Sequence, residues 1–402
     1  MKSGWIRSLI FWLLLALVAF IGVEIFLNLA CLVSPRVSAL LSARGGLEIQ
    51  DKKLGFRPNP AFFDHDAGGF RNKSVPQRAD VVVLGDSMSY GTWVRREEAW
   101  PQRLQALARI DAYNMAYSGY CPVTSLLMLD EALELRPTLV IEALYGGNDF
   151  YESYAFVYRE GKAPEFKTTD NSRLEALDKQ DSEDSIADRS LALFEPRRGL
   201  KEFLGRYCRT YGLLWLAKAV FVPDHTWPWF WLKFRAGGFP GWVPMEFDGF
   251  RTILSPDYRL LGLNLDDARI REGLLITLKC LRTINERLLE RKVKFLVLYL
   301  PTKELVVEEL LKDKTSRNSR SCQVLVENEK AALHVLEGFC RDQRISFVDA
   351  TLALTASIRE GKQPFLINHD AHPSAAGHNV IASVILEEIQ RAGLVEDRTG
   401  EK

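Results

Sequence analysis

Residues 80–91 read Asp80-Val81-Val82-Val83-Leu84-Gly85-Asp86-Ser87-Met88-Ser89-Tyr90-Gly91. Four consecutive apolar residues that do not alternate with polar ones fit a short strand covered on both faces, as in a parallel sheet. Gly85 ends the run. Three further runs have the same character: Leu139 to Leu144, Val293 to Leu300 and Ile345 to Val348. A shorter fifth strand is expected near Asp111 to Tyr113. Between them lie stretches of helical periodicity, such as Glu97 to Ile110 and Ala268 to Glu290. Strands alternating with helices predict an α/β layered sheet.

The alternation fails between about Phe150 and Leu265. This stretch reads as an insertion, polar and charged over 160–189 and then aromatic, with Trp227, Trp229 and Trp231 close together. Three readings stay open for it: a small aromatic subdomain core, a lid or sugar-stacking surface beside the active site, and a patch resting on a membrane. Upstream, Leu9 to Val33 is apolar apart from Glu24 and Asn28, and about 20 such residues span a bilayer. Lys2 and Arg7 precede this transmembrane helix and favour a cytoplasmic N-terminus, with Arg36 and Arg44 pulling the other way. Val37-Ser38-Ala39 resembles a cleavage site for a signal sequence, so an uncleaved anchor and a removed one both fit. The expected division is an anchor over 1–33, a tether and entry segment over 34–78, an α/β domain over 79–150 and 265–396, and an insertion over 151–264.

Lys+Arg and Asp+Glu balance at 52 each, which gives no global attraction to nucleic acid or to an acidic polymer. Six cysteines occur without a C-x-x-C pair, so the usual zinc spacings are absent and no metal or cofactor is expected. For the cysteines after the anchor, disulfides and buried thiols are both open readings.

The chemistry concentrates where strands end. Ser87 follows the first strand directly, and ligands in open parallel sheets bind beyond the carboxyl ends of the strands. Asn114-Met115-Ala116-Tyr117-Ser118-Gly119 follows the second strand, and Gly119 can turn its amide toward an oxyanion without a side chain in the way. Gly146-Gly147-Asn148-Asp149 closes the third run and brings the Asn148 amide to the same sheet edge. Asp370-Ala371-His372-Pro373 lies near the C-terminus. A lone glycine-serine turn is weak evidence for a nucleophile. Four such blocks in order are stronger.

With these blocks the chain resembles an SGNH/GDSL hydrolase, a superfamily named for Ser, Gly, Asn and His, over about Asp80 to Asp149 and Val293 to Leu394. Gly55-Phe56-Arg57 and Gly68-Gly69-Phe70-Arg71 are similar to the approach in some bacterial members. The resemblance implies a three-layer α/β/α fold with a mostly parallel five-stranded sheet of flavodoxin-like type. It implies Ser87 as nucleophile, His372 as its base, and an oxyanion hole from the Ser87 and Gly119 amides and the Asn148 side chain. A serine hydroxyl needs such a base at neutral pH, and histidine can pass a proton both ways. The family usually has its aspartate three residues before the histidine. Here that position is His369 and the acid is Asp370, two residues away, which still puts both side chains on one face of an extended segment.

The implied activity is a serine esterase or O-acyltransferase acting through an acyl-serine, on an acylated small molecule or polysaccharide outside the bacterial inner membrane. The anchor, with Pro301-Thr302-Lys303-Glu304, is similar to proteins that adjust exopolysaccharide acetylation and work beside the polysaccharide synthesis machinery. Lys303 and His369 are further candidates for holding substrate; for Lys303 a helix-start salt bridge is the plainer reading. Asp86 and Asp149 are expected to hold loops together, and His65, His225, His334 and His378 to be surface or packing residues. Two other functions stay open: a noncatalytic carbohydrate-binding or assembly protein that retains the fold, and a lipase or phospholipase.

Overall fold

The computed structural model describes residues 2–34, 37, 41, 46–192, 208–214, 228–239, 241–311 and 320–395. Arg36, Arg44, Trp227, His225 and most of the cleavage-site triplet lie outside them. The chain divides into two compact units, Met1–Gly69 with Ala187–Thr226, and Phe70–Ile186 with Trp227–Lys402. Residues 151–264 are therefore shared between the units.

In the first unit, helix α1 (Lys2–Val33) contains the stretch Arg7–Val33, 27 residues of mean hydropathy 2.7. It is long and apolar enough to cross a bilayer, a description that a signal sequence also meets. Its two polar interruptions pair with each other, Asn28 Nδ2 donating to the Glu24 carbonyl at 2.8 Å. Strands β1 (Glu48–Asp51) and β2 (Gly55–Pro58) form an antiparallel hairpin. Asp51 Oδ1 accepts the amides of Lys53 and Leu54 at 2.8 and 2.7 Å, a side-chain turn that stands in for backbone hydrogen bonds.

The second unit is built on a five-stranded sheet of β3 (Val81–Gly85), β4 (Ala112–Asn114), β5 (Leu139–Tyr145), β8 (Lys294–Leu300) and β9 (Ser346–Asp349). Its order is β4-β3-β5-β8-β9, and all four pairings are parallel. In order of appearance this is 2-1-3-4-5, the flavodoxin-like doubly wound arrangement. Every residue of β3 and β5 is buried, which is why β3 reads as an unbroken apolar run and β5 as one interrupted only by the buried Glu142.

Helices cover both faces. Leu139, Ile141, Ala143, Leu296 and Leu298 pack with Trp100 and Leu104 of α3 (Trp100–Ala108), Leu354 of α12 (Thr351–Arg359) and Ile381 and Ile385 of α13 (Ala375–Arg391). The other layer holds α4 (Pro122–Glu134), α5 (Asp149–Tyr158), α9 (Ala268–Glu290) and α11 (Arg320–Asp342), with Phe150, Ile270, Leu274, Leu325 and Ala332 in one cluster. Helix α9 keeps the bounds that its periodicity predicts, and Asp267 caps it by accepting the Arg269 amide at 2.8 Å. The expected helix over 97–110 begins instead as a short 3-10 turn, Arg96–Glu98, because Pro101 suits the first turn of a helix and not its interior.

Among its described residues the inserted stretch carries regular elements. The polar part contains α6 (Asn171–Ala192), and the aromatic part α7 (Trp229–Ala236) and a hairpin of β6 (Val243–Phe247) and β7 (Phe250–Leu254). Met245, Phe250 and Leu254 of that hairpin join the core on the sheet's first face. Helix α8 (Pro256–Leu263) then packs against the end of β5, where a side chain on Gly262 would meet the Gly147 carbonyl at 2.4 Å. Cys121, Cys280 and Cys340 are buried thiols, and burial pushes Cys121 up to about 12.

Candidate active site

Ser87 opens α2 (Ser87–Tyr90), a single turn that begins where β3 stops. Asp86 is its cap, accepting the Met88 amide at 2.9 Å, and amides in a first helical turn have no carbonyl four residues back. The Ser87 amide thus sits at the sheet's carboxyl edge in such a turn. Arg71 fastens the chain that follows, donating to the carbonyls of Tyr90, Gly91 and Val94 at 3.3, 2.6 and 2.8 Å. That loop carries Trp93.

His372 Nε2 lies 2.8 Å from Ser87 Oγ, across 285 positions of sequence, and His372 Nδ1 lies 2.5 Å from Asp370 Oδ1. An ionised carboxylate only accepts, so Nδ1 carries the proton and Nε2 offers its lone pair to the serine hydroxyl. Asp86 Oδ2 competes for the same hydroxyl at 3.4 Å, a distance at which a hydrogen bond is weak, so the histidine wins. The side chains of His372 and Asp370 are 19% and 23% exposed, open enough to meet a substrate and covered enough for strong electrostatics.

The two-residue spacing works through a local turn. Asp370 Oδ1 accepts the backbone amide of His372 at 3.0 Å as well as its ring nitrogen, so the carboxylate folds forward over its own chain. Pro373 biases His372 toward the extended conformation, and Ser374 starts α13 immediately afterwards by accepting the amides of Ala376 and Gly377. Burial works to raise the Asp370 pKa, but hydrogen bonds and charge from His372, with the charge of Lys303, outweigh it and hold the carboxyl well below the usual range. Asp86 goes the other way, pushed up to about 6 by burial.

Gly119 and Asn148 stand on the loops after β4 and β5, the two strands that flank β3. Tyr117 donates its amide to the Gly85 carbonyl at 3.1 Å and Tyr120 to the Tyr117 carbonyl, so Gly119 lies in a tight turn. Its φ of 78° is a conformation that glycine adopts without strain. Asn148 precedes α5, and its Nδ2 donates to Glu152 Oε1 at 2.8 Å. Asp149 accepts the Tyr145 amide at 2.8 Å, the loop-holding part expected of it.

Lys303 does not line the site as a substrate contact. It is 2% exposed, and its Nζ donates to Thr252 Oγ1 at 2.9 Å and to the carbonyls of Leu366 and Asn368 at 3.3 and 2.9 Å. It lies under the loop that leads to Asp370 and supports it, in place of the helix-start salt bridge. Burial pushes its pKa down to about 7. His369 faces solvent and stacks on Trp242 with ring centres 4.0 Å apart, and Trp242 stacks in turn on Phe239 at 4.4 Å. His378 is fully buried, accepting the Trp100 amide at Nδ1, and burial lowers it to about 3.

Trp93 and Glu152 have no distinguishing mark in the sequence, whereas Arg71 lies in the Gly68-Gly69-Phe70-Arg71 block, which gave no role for its side chain. Trp93 combines a left-handed φ of 71° with a hydrogen bond to Asp370, and neither property follows from composition or period. Among the described residues no cluster suited to a metal ion occurs.

No protein-family model and no curated protein matches the chain. Among solved structures it is similar to the acetyl xylan esterase AlAXEase, at 8% identity and a TM-score of 0.37 over 77% of this chain and 99% of that one. A GDSL-like lipase from Bacteroides thetaiotaomicron is similar at 12% identity and a TM-score of 0.34, over 79% of this chain and 93% of that one. A catalytic mutant of an acetylxylan esterase from Geobacillus stearothermophilus shares 13% identity at a TM-score of 0.35, over 78% of this chain and 95% of that one. Likeness this distant carries no functional inference, which has to come from the chain's own geometry.

Proposed function

We propose that the chain is a serine esterase or O-acyltransferase of SGNH type that works through an acyl-Ser87 intermediate. The observation that carries this is the contact of His372 Nε2 with Ser87 Oγ at 2.8 Å, backed by Asp370 on the opposite ring nitrogen. His372 takes the hydroxyl proton as Oγ attacks the acyl carbon, and the imidazolium so formed is balanced by the Asp370 carboxylate. The negative charge on the acyl oxygen is met by the amides of Ser87 and Gly119 and by the Asn148 side chain. His372 then returns its proton to the leaving alcohol. Water or a sugar hydroxyl next attacks the acyl-enzyme, with His372 again as base, which separates hydrolysis from transfer only by the acceptor.

The substrate we propose is an acetylated carbohydrate outside the cytoplasmic membrane. The apolar Arg7–Val33 stretch supports an anchor in the bacterial inner membrane. The family resemblance, together with that anchor and Pro301-Thr302-Lys303-Glu304, which are similar to those of proteins that adjust exopolysaccharide acetylation, supports the acyl group and a place beside polysaccharide synthesis. The exposed rings of Phe239 and His369, both stacked on the half-buried Trp242 beside Asp370, support an aromatic surface of the kind that meets a sugar.

The full-length chain in detergent micelles should release nitrophenol from p-nitrophenyl acetate, and Ser87→Ala should abolish it. Equal rates for the two would defeat the enzyme reading in favour of a binding protein. Adding sugar acceptors and recovering acetylated sugar would separate a transferase from a hydrolase.

A further inference from the structure

The side chain of Asn148 reaches back along the first turn of α5 to Glu152, four residues on, and Nδ2 meets Oε1 at 2.8 Å. The other polar atom of each group, Asn148 Oδ1 and Glu152 Oε2, is enclosed, and neither has a hydrogen-bond partner among the described residues. Enclosed polar atoms are seldom left without partners, so two on a pair already joined at one end call for one explanation. A single proton on Glu152 supplies it.

We propose that Glu152 is a positioning residue for the oxyanion donor: as a neutral acid it accepts one Asn148 N–H at Oε1 and returns its own O–H to Asn148 Oδ1. This rests on the reading of Asn148 as an oxyanion donor. A primary amide has two hydrogens, one beside its carbonyl oxygen and one opposite. The reciprocal pair uses the first, together with Oδ1, and fixes the amide against rotation and against exchange of its N and O. The second hydrogen is left in a set direction for the acyl oxygen. An ionised Glu152 would accept the same N–H but leave Oδ1 without a donor, so the amide would be held at one end only.

The surroundings favour the neutral acid. The groups facing Glu152 are Asp86 from the turn after β3, Asp149 on its own helix, and the Cys121 thiol at the start of α4, none of them a cation. Burial first, and Asp86 second, push Glu152 up to about 8, with the bond from Asn148 pulling weakly against them. A helix N-terminus attracts anions, but the buried carboxyls nearby are themselves displaced upward, Asp149 well above its ordinary range and Glu142 to about 8.

The test compares Glu152→Gln and Glu152→Ala with wild type in the full-length chain, by kcat and KM on p-nitrophenyl acetate from pH 6 to 9.5. Glutamine retains one acceptor and one donor, so it should hold kcat within about threefold of wild type and remove a decline of kcat above pH about 8. Alanine should lower kcat by about tenfold or more at unchanged KM, part of the roughly 10²–10³ that an oxyanion donor supplies. Wild-type kcat with alanine, or glutamine as damaging as alanine in a folded protein, overturns the proposal. Should alanine fail to fold, a wild-type alkaline decline that Glu152→Gln leaves in place overturns it equally. If Ser87→Ala or Asn148→Ala leaves turnover intact, the site reading itself has failed, whereas loss in both with an indifferent Glu152 refutes only this inference.

Discussion

The indole N–H of Trp93 donates to Asp370 Oδ2 at 2.8 Å, occupying the carboxylate oxygen that His372 leaves free. The loop that follows Ser87 therefore reaches over to hold Asp370, and the two halves of the candidate site are tied by this bond. Trp93 pays for this place with a left-handed backbone, a strain of about 1–3 kcal/mol for such a residue.

Trp93→Phe removes the donor and keeps an aromatic ring. Asp370, with one hydrogen bond fewer, becomes the more basic partner and stabilises imidazolium better, so the acidic limb of kcat/KM should move to higher pH while the maximum falls about tenfold. Trp93→Gly relieves the backbone and should raise the melting temperature while lowering activity further. A pH profile that superimposes on wild type would rule out the role of the indole.

Asp370→Asn keeps an oxygen for the His372 amide, so the turn should survive. Its neutral side chain no longer balances an imidazolium and disturbs the ring tautomer, and kcat should fall by about 10³–10⁴. Fluorophosphonate labelling of Ser87 should slow in parallel. Rapid labelling would mean that His372 is oriented by something else.

Asn148→Ala should cost about 10²–10³ in kcat with KM little changed, because the amide acts on charge that develops only in the transition state. Michaelis parameters on p-nitrophenyl acetate decide it. A change confined to KM would make Asn148 a substrate contact instead.

Lys303→Met removes one donor from each of the carbonyls of Leu366 and Asn368, which keep the Thr252 hydroxyl and the Ile253 amide respectively, and should change stability by about 1 kcal/mol through those bonds. The sign with pH follows from a folded value of about 7 against an ordinary 10.5. Holding the charged lysine buried costs stability in full below pH 7, and the cost fades as pH rises from 7 toward 10.5. The stability margin of wild type over the variant should therefore widen across that window in denaturant titrations. Parallel curves would place the charge outside the fold's energetics.

By itself the sequence determined the five strands, the long helix α9 and the order of the four site blocks, because these depend on local properties. Apolar runs such as Val81 to Leu84 mark strands buried on both faces, and chemistry in an open parallel sheet gathers at one edge of it. It could not determine which way Lys303 points. A lysine at a strand's carboxyl end is compatible with a substrate contact or a buried prop, and only packing of the β6–β7 hairpin and the 366–368 loop around it made it the latter. The same holds for Trp93 on Asp370 and Glu152 on Asn148. The first joins residues 277 positions apart, which no periodicity encodes, and the second draws its meaning from burial beside Asp86 and Asp149, which only the folded chain creates.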